Sequence, residues 1–186
     1  MRLMVISDIH GIKTNLPKIK EKYKEFDCDK LVVLGDLYYI GPRNKMIEGY
    51  DISSAQKFLE SMKENLICMR GNCDSEVDIS VSNFPIIQDL SLIMMESKDI
   101  YITHGHIYNE SNWNKENSIL IYGHFHIPFI KKVETNYYIN PGSISLPREG
   151  RPTYLILEEE KATIYDVEDN IVAEEDLIWE ETLLEQ

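Results

Sequence analysis

Short apolar runs, each stopped by a polar or charged residue next to a glycine, set the rhythm of the chain. Residues 2–7, centred on Leu3-Met4-Val5-Ile6, read as a buried strand that ends in Asp8-Ile9-His10-Gly11. Lys30-Leu31-Val32-Val33-Leu34-Gly35 reads as a second strand and ends at Asp36. Leu66-Ile67-Cys68-Met69 is a third and runs into Arg70-Gly71-Asn72-Cys73-Asp74. Between these strands the period becomes helical. Asn15 or Thr14 is expected to cap a helix with Leu16, Ile19, Tyr23 and Phe26 inward and Lys18, Lys20, Glu21, Lys22 and Lys24 on the wet face. Ser53 or Ser54 is expected to cap a second helix, with Ala55, Phe58, Leu59 and Met62 inward. The connection from 37 to 50, which holds Gly41-Pro42-Arg43-Asn44, is long for a strand-to-helix loop.

After Asp74 the pattern is mostly strand. Residues 89–96 and 99–103 read as two strands around a short turn, the second ending in His104-Gly105-His106. A polar segment, 109–117 with Trp113, precedes a strand at 118–122 that ends in Gly123-His124-Phe125-His126. Further strands are expected at 129–133, 136–140, 153–157 and 162–167, with Glu158-Glu159-Glu160 at a hairpin tip. Met4, Met62, Met69, Met94 and Met95 read as core filling. The pattern predicts a single α/β domain over 1–186, with two packed β-sheets and helices outside them. Its acidic tail spans 169–186. The tail's Leu177, Ile178, Trp179, Leu183 and Leu184 read either as an element packed back on the body or as a contact in a homo-oligomer.

Length and composition narrow the function classes. A chain of 186 residues is long enough for a real core. No apolar run approaches the length of a membrane span. Met1-Arg2 leads directly into the first strand, which leaves no room for a signal peptide. Cys28, Cys68 and Cys73 are odd in number and lack zinc-ribbon spacing, which suits a reducing cytoplasm. A net charge of −13 argues against a grip on long nucleic acid or an anionic membrane. It leaves a small phosphate substrate open, because bound cations would dominate the local field.

Five strand ends carry ligand-type residues: Asp8 and His10, Asp36, Asn72, His104, and His124 and His126. Each lies by a glycine. Alone, Asp8-x-His10 is as readily a helix cap and a loop histidine; the recurrence is what carries meaning. Two carboxylates, an amide oxygen and four imidazoles exceed the three or four protein ligands of about one zinc ion and suit two cations. Nitrogen and oxygen ligands without thiolate suit Mn, Fe, Ni, Co or Zn better than Mg or Ca.

The ordered set Asp-x-His, Gly-Asp, Gly-Asn-x-Asp, His, Gly-His-x-His resembles the calcineurin-like metallophosphoesterase superfamily. Gly41-Pro42-Arg43-Asn44, the run from Arg70 to Glu76, and Asn140-Pro141-Gly142-Ser143 through Arg148 extend the resemblance, nearly end to end, to the YfcE-like phosphodiesterase subgroup of bacteria and archaea. The resemblance implies a four-layer α/β/β/α sandwich of two mixed β-sheets flanked by helices. It implies one divalent ion held by Asp8, His10, Asp36 and His126 and a second by Asp36, Asn72, His104 and His124, with Asp36 bridging. Manganese is the expected metal, with Ni, Co, Fe or Zn as alternatives. A metal-bridging hydroxide would then attack the phosphorus of a small phosphodiester.

The chain departs from many relatives at Cys73, where a histidine would assist the leaving group; the same cysteine is usual in the subgroup. A neutral thiol is a poor donor to an alkoxide. Cys73 reads either as catalytic, with Asp36, Asn72 and His106, or as a packing residue. His106 reads as a hydrogen-bonding neighbour of the ligands or a substrate contact, and Asp74 as a loop-holding residue. Arg43 and Arg148 read as phosphate contacts or as plain surface, and Asn140–Ser143 as a turn. The alternatives to a diesterase are a phosphomonoesterase or nuclease of the same fold, or a scaffold that kept the fold and lost catalysis, as the retromer subunit of this fold looks to have done. The complete ligand set speaks against the scaffold. The absence of a basic, aromatic-laced stretch speaks against the nuclease.

Overall fold

A computed structural model describes residues 1–42, 44–95 and 98–178. The elements in chain order are β1 (Leu3–Ile6), α1 (Leu16–Glu25), β2 (Lys30–Val33), α2 (Ile52–Ser61), β3 (Leu66–Met69), α3 (Glu76–Val81), β4 (Ile86–Ile87), β5 (Leu90–Met95) and β6 (Lys98–Thr103). They continue with β7 (Ser118–Tyr122), β8 (Pro128–Val133), β9 (Asn136–Pro141), β10 (Thr153–Leu157), β11 (Lys161–Asp166) and β12 (Ile171–Asp176).

Two mixed sheets result. The larger has the order β12-β11-β10-β1-β2-β3-β4 and the smaller β5-β6-β7-β9-β8. β1, β2 and β3 run parallel, joined by α1 and α2, while β10 lies antiparallel to β1. All four residues of β1 are fully buried, as a central strand covered on both faces should be. Its alternation divides the core. Met4 and Ile6 pack with Leu31, Val33, Leu16, Ile19, Phe58 and Leu59 under the helices. Leu3 and Val5 pack with Val32 and Leu34 against Ile100, Ile102, Ile119, Ile121 and Ile139 of the smaller sheet. The outer face of the smaller sheet carries Leu120, Tyr122 and Tyr138. It is covered by the irregular segment around Trp113, whose Nε1 donates to Ser118 Oγ at 3.0 Å, where a second helical layer was expected.

Several local expectations shift. Asn15 is the first cap position, but its side chain donates to the carbonyl of Ile144 at 2.8 Å instead of capping α1. Asp51, not Ser53 or Ser54, caps α2, accepting the Ser54 backbone N–H at 3.0 Å. Lys22 is buried rather than wet, because its Nζ lies 2.8 Å from both Glu25 and Asp169. Met94 is exposed on β5 instead of filling the core. The start of the tail forms β12, antiparallel to β11 at the sheet edge. Trp179, Leu183, Leu184 and Arg43 lie outside the described residues.

Candidate metal centre

The turns after β1, β2 and β3 interlock. The backbone N–H of Asp8 donates to Gly35 O at 3.1 Å and that of His10 to Asp36 O at 2.8 Å. The N–H of Cys73 donates to Asp36 Oδ1 at 2.8 Å. Such close passage needs small residues. A Cβ on Gly71 would come within 2.1 Å of Asp36 Oδ1, and one on Gly123 within 1.9 Å of Ser7 Oγ. Asp8, His10, Asp36, His124 and His126 all adopt left-handed backbone, with φ between 51° and 65°. That conformation costs a non-glycine residue about 1–2 kcal/mol and collects at functional sites.

Three imidazoles are clamped alike. Nδ1 of His10 bonds Tyr39 O at 2.7 Å, that of His104 bonds Leu34 O at 2.8 Å, and that of His126 bonds Leu146 O at 2.6 Å. A carbonyl on Nδ1 fixes the proton there and turns Nε2 inward as a ligand atom. The Nε2 atoms of His10 and His126 lie 3.4 Å apart. His126 Nε2 is 3.3 Å and His10 Nε2 3.9 Å from Asp8 Oδ1. The two oxygens of Asp36 face different imidazoles, Oδ2 at 3.6 Å from His10 Nε2 and Oδ1 at 3.4 Å from His104 Nε2. His104 Nε2 also lies 3.1 Å from Asn72 Oδ1. Asp8 Oδ1 is fully buried with no hydrogen-bond donor, a costly position for an anionic oxygen unless a cation meets it. This donor set fits divalent metal.

Sets of ligand atoms within 4.8 Å of one another are formed by Asp8, His10 and His126, by Asp8, Asp36 and His104, and by His10, Asp36 and Cys73. Cys73, expected as a catalytic or a packing residue, thus brings its sulfur within reach of His10 and Asp36. His124 stands beside these sets: its ring is half-buried, 5.2 Å from the His104 ring, and its backbone N–H donates to Asp8 Oδ2 at 3.1 Å. His106 is exposed, 5.3 Å from the His104 ring and 6.2 Å from that of His124. Arg148 is exposed, and its backbone N–H donates to His126 O at 3.1 Å.

The Asn140–Ser143 turn is more than packing. Buried Ser143 donates from Oγ to Asp8 O at 2.9 Å and accepts from Leu146 N at 2.8 Å, which seats the carbonyl that holds His126. Asn140 Nδ2 donates to Gly123 O at 2.8 Å.

The charges are strongly coupled. Burial works to raise Asp8 and Asp36, but the neighbouring imidazoles outweigh it and hold both carboxyls below the usual range. Burial works to lower His104, yet Asp36 and Asp8 carry it up to about 9. His126 is raised against its burial by Asp8. His124 and His106 are lowered by burial and by the charge of His104. Burial, then Asp36, pushes the Cys73 thiol up to about 12, so it is neutral at ordinary pH.

Comparison with known proteins shows the family. The sequence profile of the calcineurin-like phosphoesterase superfamily domain matches residues 1–162. The chain is 34% identical over 175 residues to phosphodiesterase YfcE of Escherichia coli K12, covering 92% of this chain and 95% of that protein. It is 28% identical over 176 residues to the probable metallophosphoesterase YsnB of Bacillus subtilis, covering 88% and 89%. The solved structure of YfcE, described as a phosphoesterase from E. coli, superposes with a TM-score of 0.91 at 32% identity, over 96% of this chain and 100% of that one.

Proposed function

This chain belongs to the calcineurin-like phosphoesterase superfamily, and from that we propose that it hydrolyses a small phosphodiester with two divalent cations held at the interlocked strand ends. One cation is assigned to Asp8, His10, Asp36 and His126, the other to Asp36, Asn72, His104 and His124. The observation that carries this reading is Asp8 Oδ1, a buried anionic oxygen without a donor, facing inward-turned imidazole nitrogens. The division of Asp36, one oxygen toward His10 and the other toward His104, supports its assignment as the bridge.

When bound, two such cations supply Lewis-acid charge to the phosphoryl oxygens and lower the pKa of the attacking water. The chain's own part is placement. Backbone carbonyls keep three imidazoles in the ligating tautomer. The backbone N–H of Cys73 holds one oxygen of Asp36, and that of His124 holds one oxygen of Asp8. His106, which is exposed, and Cys73, which is half-buried, are assigned to substrate contact. Nitrogen and oxygen ligands make manganese the proposed metal.

The test is a rate panel of aryl mono- and diesters after stripping metal and restoring Mn, Ni, Co, Zn and Mg one at a time. Diester hydrolysis should vanish on stripping and return with Mn. Turnover that survives complete removal of metal would refute the reading.

A further inference from the structure

A pocket of about 450 Å³ opens at the outer face of the smaller sheet, next to the turn that carries His124 and His126, and no step proposed above uses it. Its walls come from the end of β7, the start of β8 and the segments that follow His106 and His124. On one side stand Tyr122, Phe125 and Phe129. Phe125 lies between His124 and His126 in the chain, and its ring is 5.2 Å from that of His124, which is itself 5.2 Å from His104. Tyr122 meets Phe125 and Phe129 edge to face, at 6.0 Å and 5.9 Å. On the other side are Asn109, Ser111 and Glu110, whose carboxylate is paired with Lys131. Asn109 Nδ2 donates to Gly105 O at 3.0 Å, which ties this rim to the turn between His104 and His106.

Three features bear on the occupant. The apolar wall is mostly aromatic, with Ile127 its one aliphatic member. The facing rim is polar. Phe125 is 40% exposed and lines the pocket together with Tyr122, Ile127 and Phe129, so its ring belongs to a contiguous apolar wall and does not stand alone. A linear alkyl group would leave the polar rim unmatched, and a sugar would match the rim but set only a puckered C–H face on the rings. A planar ring satisfies both, since aromatic surfaces stack favourably and a ring edge can reach the rim.

We propose that this pocket receives a planar aromatic ester group of the substrate, an aryl ring or a nucleobase, while the phosphate sits at the metal centre. This rests on the phosphodiester reading and narrows it to diesters with an aromatic substituent near phosphorus.

The test is calorimetric binding to the Mn-loaded protein, which needs no turnover. The probes are phenylphosphonate, cyclohexylphosphonate and methylphosphonate, which share a head group and differ in the appended group. Stacking contributions of the ordinary size predict that phenyl binds about 10- to 100-fold tighter than methyl. Cyclohexyl should fall clearly below phenyl. Phe125→Ala should bring the phenyl-to-methyl ratio close to one, and Ser111→Trp, which fills the pocket from the opposite rim, should do the same. Equal affinity for phenyl and methyl, a ratio that survives in both variants, or cyclohexyl binding as tightly as phenyl would each overturn the proposal. Because Phe125 is partly exposed, its variant should fold; if circular dichroism shows otherwise, the Ser111 variant alone decides. Wild-type protein that binds phenyl preferentially but hydrolyses no diester with any metal would leave the pocket standing and remove the activity instead.

Discussion

The carboxylate of Asp74 accepts the backbone N–H of Asp36 at 2.8 Å, so the residue assigned as the bridge is held from behind by a second buried aspartate. The same Oδ2 takes the N–H of Gly71 at 2.7 Å, and Oδ1 takes that of Leu37 at 2.7 Å. One side chain thus fastens the turn after β3 to the turn after β2. Burial raises the Asp74 carboxyl against the pull of these three N–H groups.

Removing Asp74 should therefore damage both stability and metal binding. Asp74→Ala leaves three buried N–H groups without an acceptor, each costing about 1–3 kcal/mol. The expected loss is about 3 kcal/mol or more in denaturant unfolding, with weaker Mn binding. Asp74→Asn keeps one carbonyl oxygen but sets an amide N–H against a backbone N–H, so it should fall between wild type and Asp74→Ala. If Asp74→Ala unfolds at the wild-type midpoint, the fastening role is wrong.

Asp36→Asn tests the bridge itself. An amide at this position removes charge from both proposed cations while keeping the side chain's shape. Activity should drop by at least about 10²-fold, with both metal equivalents weakened. Asn72→Ala should release one equivalent more than the other, since Asn72 Oδ1 faces only His104. Metal stoichiometry after dialysis distinguishes the two patterns; equal loss of both equivalents in Asn72→Ala would contradict the assignment.

The strand ends were legible because each apolar run stops at a polar residue. β3 and β7 fall on the predicted residues, and β1, β2 and β6 within one or two of them. The helix between β1 and β2 was legible from Leu16 and Ile19. What lies between elements was not. Periodicity cannot reveal that Asp74 reaches the N–H groups of Asp36 and Leu37, since the chain separates these residues by more than 35 positions. Nor does it show that Asp8, His10 and Asp36 take left-handed backbone, which an L-residue holds only when surrounding contacts enforce it. β12 escaped because its Ile171 and Val172 are exposed at a sheet edge beside Glu174, Glu175 and Asp176, so no burial pattern marks it. α3 escaped for a related reason: it is six residues long and buries none of them.

The metal-free protein should be pH-sensitive in a defined direction. His104 is raised from its ordinary value of 6.5 to about 9 by Asp36 and Asp8. An imidazole whose folded pKa is raised stabilises fully below its unfolded value, and that stability is lost as pH rises through the folded one. The stripped protein should thus lose stability between pH 6.5 and about 9, by on the order of 2–3 kcal/mol. Over the same span Mn affinity should rise, because the proton on His104 Nε2 competes with the metal. Thermal melts with and without chelator across this range make the check. A flat profile in the stripped protein would mean that His104 carries no extra proton.

The neutral thiol of Cys73 sits within ligand distance of His10 and Asp36, where the family resemblance places a histidine in many relatives. A diester carries one negative charge and a monoester nearly two, so a monoester needs more cationic help around its oxygens. A phenolate leaves unaided, whereas an alkoxide needs a proton as it departs. With a thiol held up to about 12, the protein offers no ready proton at this position. It should hydrolyse an activated aryl diester well and the matching monoester and simple alkyl diesters poorly. Cys73→His would supply a donor and should raise kcat/KM by up to about 10²–10⁴-fold where protonation limits the rate. The gain should be larger for alkyl than for aryl leaving groups. The informative quantity is the ratio of kcat/KM for those two leaving groups in wild type and variant, measured with metal content shown equal. An unchanged ratio would make Cys73 a packing residue and would assign the diester preference to the shape of the pocket beside Phe125.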